Sequence, residues 1–113
     1  MAESNPLKLS HEQLRATLAA QSLPFVELFE RQGVSLELFS PRTADMQQPH
    51  DRDELYFVAS GHGTFRREDE VVAFETGDFL FVAAHVPHRF ETFSDDFQTW
   101  VVFFGSVIPH PTR

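Results

Sequence analysis

The chain has 113 residues, the size of one domain that buries roughly two-thirds of the surface its unfolded form exposes. It contains no cysteine, which excludes disulfides, thiolate metal sites and cysteine nucleophiles and leaves imidazole, carboxylate, amide or water to hold any metal. Nine Lys and Arg against seventeen Asp and Glu give a net charge of −8, a field that repels nucleic-acid backbones and anionic lipid surfaces.

Residues 1–9 carry no periodic signal. Ser10-His11-Glu12-Gln13 then spells a capping box, and Leu14 and Leu18 fall on one face of the short helix that follows, which Pro24 stops. Residues 25–30 and 34–40 alternate apolar and polar side chains around Arg31-Gln32-Gly33, the pattern of two strands joined by a tight turn, with Pro41 closing the second. Further strands are expected at 55–59, 64–67, 71–74, 79–83, 88–93 and 97–104, separated by turn signals such as Ser60-Gly61-His62-Gly63, Glu68-Asp69-Glu70 and Gly77-Asp78. Thirteen phenylalanines, mostly after residue 55, belong to a packed β interior. Short strands at near-regular spacing with no helix between them predict an antiparallel sandwich or barrel.

The chain thus divides into an N-terminal segment with a short helix (1–24), a β domain (25–108) and a tail (109–113). No apolar run approaches the ~20 residues of a membrane span, and the first ten residues lack a basic stretch followed by an apolar one. A cytoplasmic protein is the expectation.

Six histidines are present, and only some can converge. In extended chain His50 and Glu54, four residues apart, point to the same face, and Gln48 shares their parity. His88, at the head of a strand after the turn Ala84-His85-Val86-Pro87, is placed to supply a third ligand from elsewhere in the fold. Two histidines and one carboxylate form a donor set suited to a divalent first-row metal with open positions. Tyr56 continues the inward parity, and with Phe81, Phe90 and Trp100 it is expected to line an interior cavity for a small molecule. Asp51, Arg52 and Asp53 read as a solvated ion-pair cluster. His11, His62 and His110 read as surface residues and His85 as a turn residue. No glycine-rich phosphate loop or Gly-x-Ser-x-Gly nucleophile motif occurs.

His50-x3-Glu54-x6-Gly61 resembles the second half of the first cupin motif, and Gly77-x5-Ala83-x-His85-x2-His88 resembles the second motif in spacing. The resemblance, to small single-domain cupins, spans about residues 34–105. It implies an antiparallel β-barrel or jelly roll preceded by one short helix, commonly a homodimer. It also implies a divalent metal (Fe, Mn, Ni or Zn) held by His50, Glu54 and His88. Gln48 stands where the family has another histidine and either supplies a fourth, weaker oxygen ligand or leaves that position to water; Gln47 takes the role if Pro49 introduces a bulge. Ala83 and His85 replace the proline and glycine of the second motif. The implied functions are a metal-dependent dioxygenase or isomerase, or a non-catalytic ligand-binding or sensory module, since the scaffold hosts all of these.

Overall fold

Ser10 precedes the helix in extended conformation and accepts a hydrogen bond from the Gln13 amide at 3.4 Å, so the expected cap forms and α1 runs His11–Ala20. Leu18 is buried where α1 packs on the second strand. In the computed structural model, which describes residues 5–45 and 48–109, eight strands follow: β1 (Phe25–Arg31), β2 (Val34–Phe39), β3 (Asp53–Ser60), β4 (His62–Arg67), β5 (Glu70–Glu75), β6 (Phe79–Val82), β7 (His88–Phe93) and β8 (Gln98–Phe104). The β1–β2 loop is two residues long, Gln32 and Gly33, with φ of 49° and 83°. These values match the turn whose twist suits a hairpin. Among the described residues no helix is long and apolar enough to cross a membrane.

The strands form two antiparallel sheets, one in the order β1-β2-β8-β3-β6 and one in the order β5-β4-β7. The barrel alternative is thereby corrected: no strand of one sheet pairs with a strand of the other, and the two face each other as a jelly roll. The strands expected at 34–40 and 97–104 pair with each other, as β2 and β8, in the interior of the larger sheet.

Residues directly opposite in an antiparallel pair share a face. The inner face of the larger sheet therefore carries Ser35, Glu37 and Phe39 from β2, Thr99, Val101 and Phe103 from β8, and Glu54, Tyr56 and Val58 from β3. Across from them stand Phe65, Phe74, His88 and Phe90 of the smaller sheet. Phe90 is the hub, with ring centroids of Phe65, Phe97 and Tyr56 at 4.7, 4.8 and 4.9 Å. Each such buried ring contributes about 1.5–3 kcal/mol through removal from water alone. One end of this interior is apolar; Glu37, Glu54 and His88 make the other polar.

Candidate metal centre

The segment entering β3 and the turn between β6 and β7 are tied together by backbone. The His85 amide donates to the His50 carbonyl at 2.7 Å, and the Ala84 amide donates to Asp53 Oδ1 at 2.9 Å. The Glu68 amide donates to the Pro87 carbonyl at 3.0 Å, fixing the far side of the same turn. His85 adopts φ of 67°, which lets the chain reverse within four residues and deliver His88 to the inner face. Asp51, Arg52 and Asp53 are thus not a solvated ion-pair cluster. Asp53 anchors the turn, and Arg52 donates to the Gly33 carbonyl and Ser35 Oγ at 3.2 and 2.9 Å while lying over the Phe103 ring. Only Asp51 is exposed.

The consequence is a cluster in which His50, Glu54 and His88 each bring a ligand atom within 4.8 Å of the others. His50 Nδ1 lies 3.2 Å and His88 Nε2 lies 2.8 Å from Glu54 Oε1. His88 Nδ1 is 2.8 Å from the Val86 carbonyl, which can only accept, so this nitrogen carries the proton and donates. That bond turns Nε2 toward Glu54. Nε2 comes within 2.8 Å of Glu54 Oε1 without closing a well-formed hydrogen bond, and Glu54 Oε2 is buried with no partner. Burial alone would raise the Glu54 carboxyl, but the two imidazoles outweigh it and hold the group below its ordinary range. Burial would likewise lower His88, and the Glu54 carboxylate outweighs it and raises the imidazole.

These atoms fit a divalent cation. Two imidazole nitrogens and a carboxylate converge on one point, one carboxylate oxygen is orphaned, and the second nitrogen of His88 is oriented by a carbonyl, as metal-binding histidines usually are. Gln48 is exposed in the segment before β3, and Gln47 lies outside the described residues, as does His110. Tyr56 and Phe90 are buried in the core beside the cluster, the Tyr56 and His88 ring centroids 6.2 Å apart. Phe81 and Trp100, expected to line the cavity, point the other way. Their register partners Leu55, Leu38 and Phe57 belong to the outer face. Phe81 borders a small notch of about 180 Å³ with Phe65 and Phe79, whereas Trp100 meets His11 of α1 edge-on at 6.1 Å. His11, read as a surface residue, also reaches Gln98 Oε1 at 2.6 Å.

One cavity adjoining the cluster has about 420 Å³ and runs from His50 along Glu37 and Phe39 to Phe25, Pro24 and Pro41. Glu37 was missed from sequence; the one signal for it was its place on the polar face of a strand. Burial pushes its carboxyl up to about 7; the charge of His50 opposes this, and the charges of Glu27 and Glu54 add smaller upward pushes. Because the folded value lies above the ordinary 4.5, the folded chain binds more protons than the unfolded chain in this window, so stability falls as pH rises from about 4.5 to 7. In chelator-treated protein Glu37→Gln is expected to remove that decline and to stabilise the fold by roughly 1 kcal/mol at pH 8, a figure discounted for the partial exposure of the group. Urea titrations at pH 5 and pH 8 measure it, and an unchanged pH slope would contradict it.

A family model described as a cupin domain matches residues 35–104. An uncharacterised protein of Streptomyces coelicolor is 32% identical over 94 residues, covering 81% of this chain and 90% of that protein. Among solved structures, a Ralstonia eutropha protein provisionally described as a mannose-6-phosphate isomerase is 28% identical with a TM-score of 0.56, covering 73% of this chain and 83% of its own. A cupin superfamily protein of Desulfitobacterium hafniense, 20% identical, superposes with a TM-score of 0.61 over 92% of this chain and 94% of its own.

Proposed function

Given that the chain belongs to the cupin family, we propose that it binds one divalent metal ion through His50, Glu54 and His88 and admits a small molecule to the adjoining cavity. The observation that carries this is the buried Glu54 carboxylate, whose Oε1 meets both imidazoles while its Oε2 has no partner, an arrangement that costs stability unless a cation satisfies it. A metal held there supplies a Lewis acid for polarising a substrate oxygen, or a centre for activating dioxygen, the chemistries of an isomerase or a dioxygenase. The chain's own part is to orient His88 through Val86, to hold Glu54 ionised, and to screen one side of the site with Tyr56, Phe65 and Phe103. The exposure of Gln48, at the position of a family histidine, favours a second reading, a non-catalytic binding module. Metal-dependent turnover separates the two.

Elemental analysis of protein purified without chelator is expected to give close to one first-row metal per chain for wild type and near none for His50→Ala and His88→Ala. Equal content in all three proteins would overturn the site.

The expected homodimer is proposed to form through the outer face of the larger sheet. There Phe57, Phe79 and Phe81 occupy adjoining positions and are 43, 51 and 40% exposed. Sedimentation velocity should show a dimer for wild type and a monomer for Phe57→Asp/Phe79→Asp. A monomeric wild type would exclude this interface.

A further inference from the structure

Glu37 sits on the inner face of β2, paired with Glu27 of β1 and Val101 of β8, and it borders both the 420 Å³ cavity and a more open cleft of about 520 Å³ that also reaches His50. Its surroundings among the described residues consist of desolvating neighbours and the charges of His50, Glu27 and Glu54, with no hydrogen bond to the carboxyl. A carboxylate half-removed from water gains from a donor, and a ligand in the cavity can bring one.

Carboxylates outnumber cations around this entrance. Glu27, Glu30, Glu37 and Asp51 line the open cleft. The two arginines that border the cavities are engaged elsewhere. Arg42 donates to the carbonyls of Leu18, Gln21 and Leu23 at 3.3, 2.7 and 2.9 Å, and Arg52 donates to Gly33 and Ser35. Neither presents the free planar fork that recognises phosphate or carboxylate. The opposite wall, Pro24, Phe25, Phe39 and Pro41, is apolar and suits a flat hydrocarbon body.

From this we propose that the cavity takes a neutral or cationic small molecule with an apolar body that donates a hydrogen bond to Glu37, and that it disfavours phosphate esters and other anions. The proposal rests on the assignment of the cavity beside His50 as the ligand site. Glu37 acts in it as a specificity-determining contact, separate from the residues that hold the metal. The Ralstonia protein described by a phosphorylated sugar would then differ from this chain in ligand charge.

The test uses three probes of similar body and different charge: benzylamine, benzyl alcohol and phenyl phosphate. Each is titrated calorimetrically at pH 8 into wild type and Glu37→Gln, both chelator-treated and zinc-loaded, with metal content measured in parallel. Wild type is expected to bind the amine and the alcohol at least about tenfold more tightly than the phosphate ester before metal is added. Glu37→Gln should weaken the amine about tenfold and narrow the gap to phenyl phosphate, with zinc stoichiometry unchanged. Comparable or tighter binding of phenyl phosphate by chelator-treated wild type, an unaltered ranking in Glu37→Gln, or no saturable binding of either donor probe would overturn the proposal. Loss of zinc binding with the probe ranking intact would instead strike the metal assignment and leave the Glu37 contact standing.

Discussion

Chelator-treated protein carrying Glu54→Leu together with His88→Phe is expected to unfold roughly 5 °C above chelator-treated wild type and to take up no divalent cation. Glu54 is 1% exposed, and its Oε2 has no partner. Holding a carboxylate in such a place costs several kcal/mol, and the imidazoles of His88 and His50 at 2.8 and 3.2 Å recover only part of that while Oε2 stays without a partner. Leucine at 54 faces Val82 across the β3–β6 pair, and phenylalanine at 88 keeps the ring contacts with Tyr56 and Phe65, each 6.2 Å between centroids. The losses are the His88 bond to the Val86 carbonyl and the contact of half-buried His50 with Glu54, about 1 kcal/mol each. Replacing a buried ion pair by apolar residues of similar volume gives a net gain of about 1–2 kcal/mol, which for a domain of this size is the stated shift in Tm. Thermal denaturation followed by circular dichroism, with metal content in parallel, reads both effects. A Tm at or below that of wild type would show that the pair exists to hold the two sheets together rather than to receive a cation.

Gly63→Ala is expected to cost about 3 kcal/mol or more, enough to deplete the folded state of a domain whose whole stability is of the order of 5–15 kcal/mol. A Cβ at this position would stand 2.0 Å from the Thr92 carbonyl oxygen and 2.8 Å from the Phe93 Cα, both backbone atoms that can retreat only if β7 moves. Gly63 lies within β4, opposite Phe74 on one side and Phe93 on the other, next to the place where the β4–β7 register shifts between Thr64 and Phe65. The bulge brings the strands together there, and His88 and Phe90 hang from the same β7. Urea denaturation would measure the loss, and a change below about 1 kcal/mol would mean that β7 adjusts freely. If enough folded protein is obtained, its zinc affinity is expected to fall as well, because displacing β7 displaces His88.

Gly63 also shows where reading along the chain stops. In sequence it belongs to Ser60-Gly61-His62-Gly63 and looks like the end of a turn; in the fold it is a strand residue chosen for the backbone that passes beside it. Asp53 is a similar case. Its neighbours Asp51 and Arg52 make it look like part of a solvated charge cluster, yet its carboxylate accepts the Ala84 amide and so helps to place His88. Nothing within a few residues of either position carries that information, because the partner is supplied by a segment about thirty residues away.

What the sequence by itself determined is local and periodic. The Ser10 cap, the eight strands, and the shared inward parity of Glu54 and Tyr56 follow from side chains that alternate at a period of two and from turns that need particular residues, whereas His50 precedes β3 and reaches Glu54 from outside the strand. That His88 belongs with them was legible from its place after a turn at the head of a strand, supported by two motif-like spacings. The tertiary structure alone decided what depends on which strands pair and which faces meet. Alternation separates the two faces of a strand but does not say which one is covered, so Phe81 and Trp100 fell on the outside. Strand spacing is the same for a barrel and for two facing sheets, since closure depends on hydrogen bonds between edges that no local pattern encodes. Glu37 became a feature of the site only when β2 folded over beside His50, because burial without a partner is a property of three-dimensional surroundings and not of a residue or its neighbours in the chain.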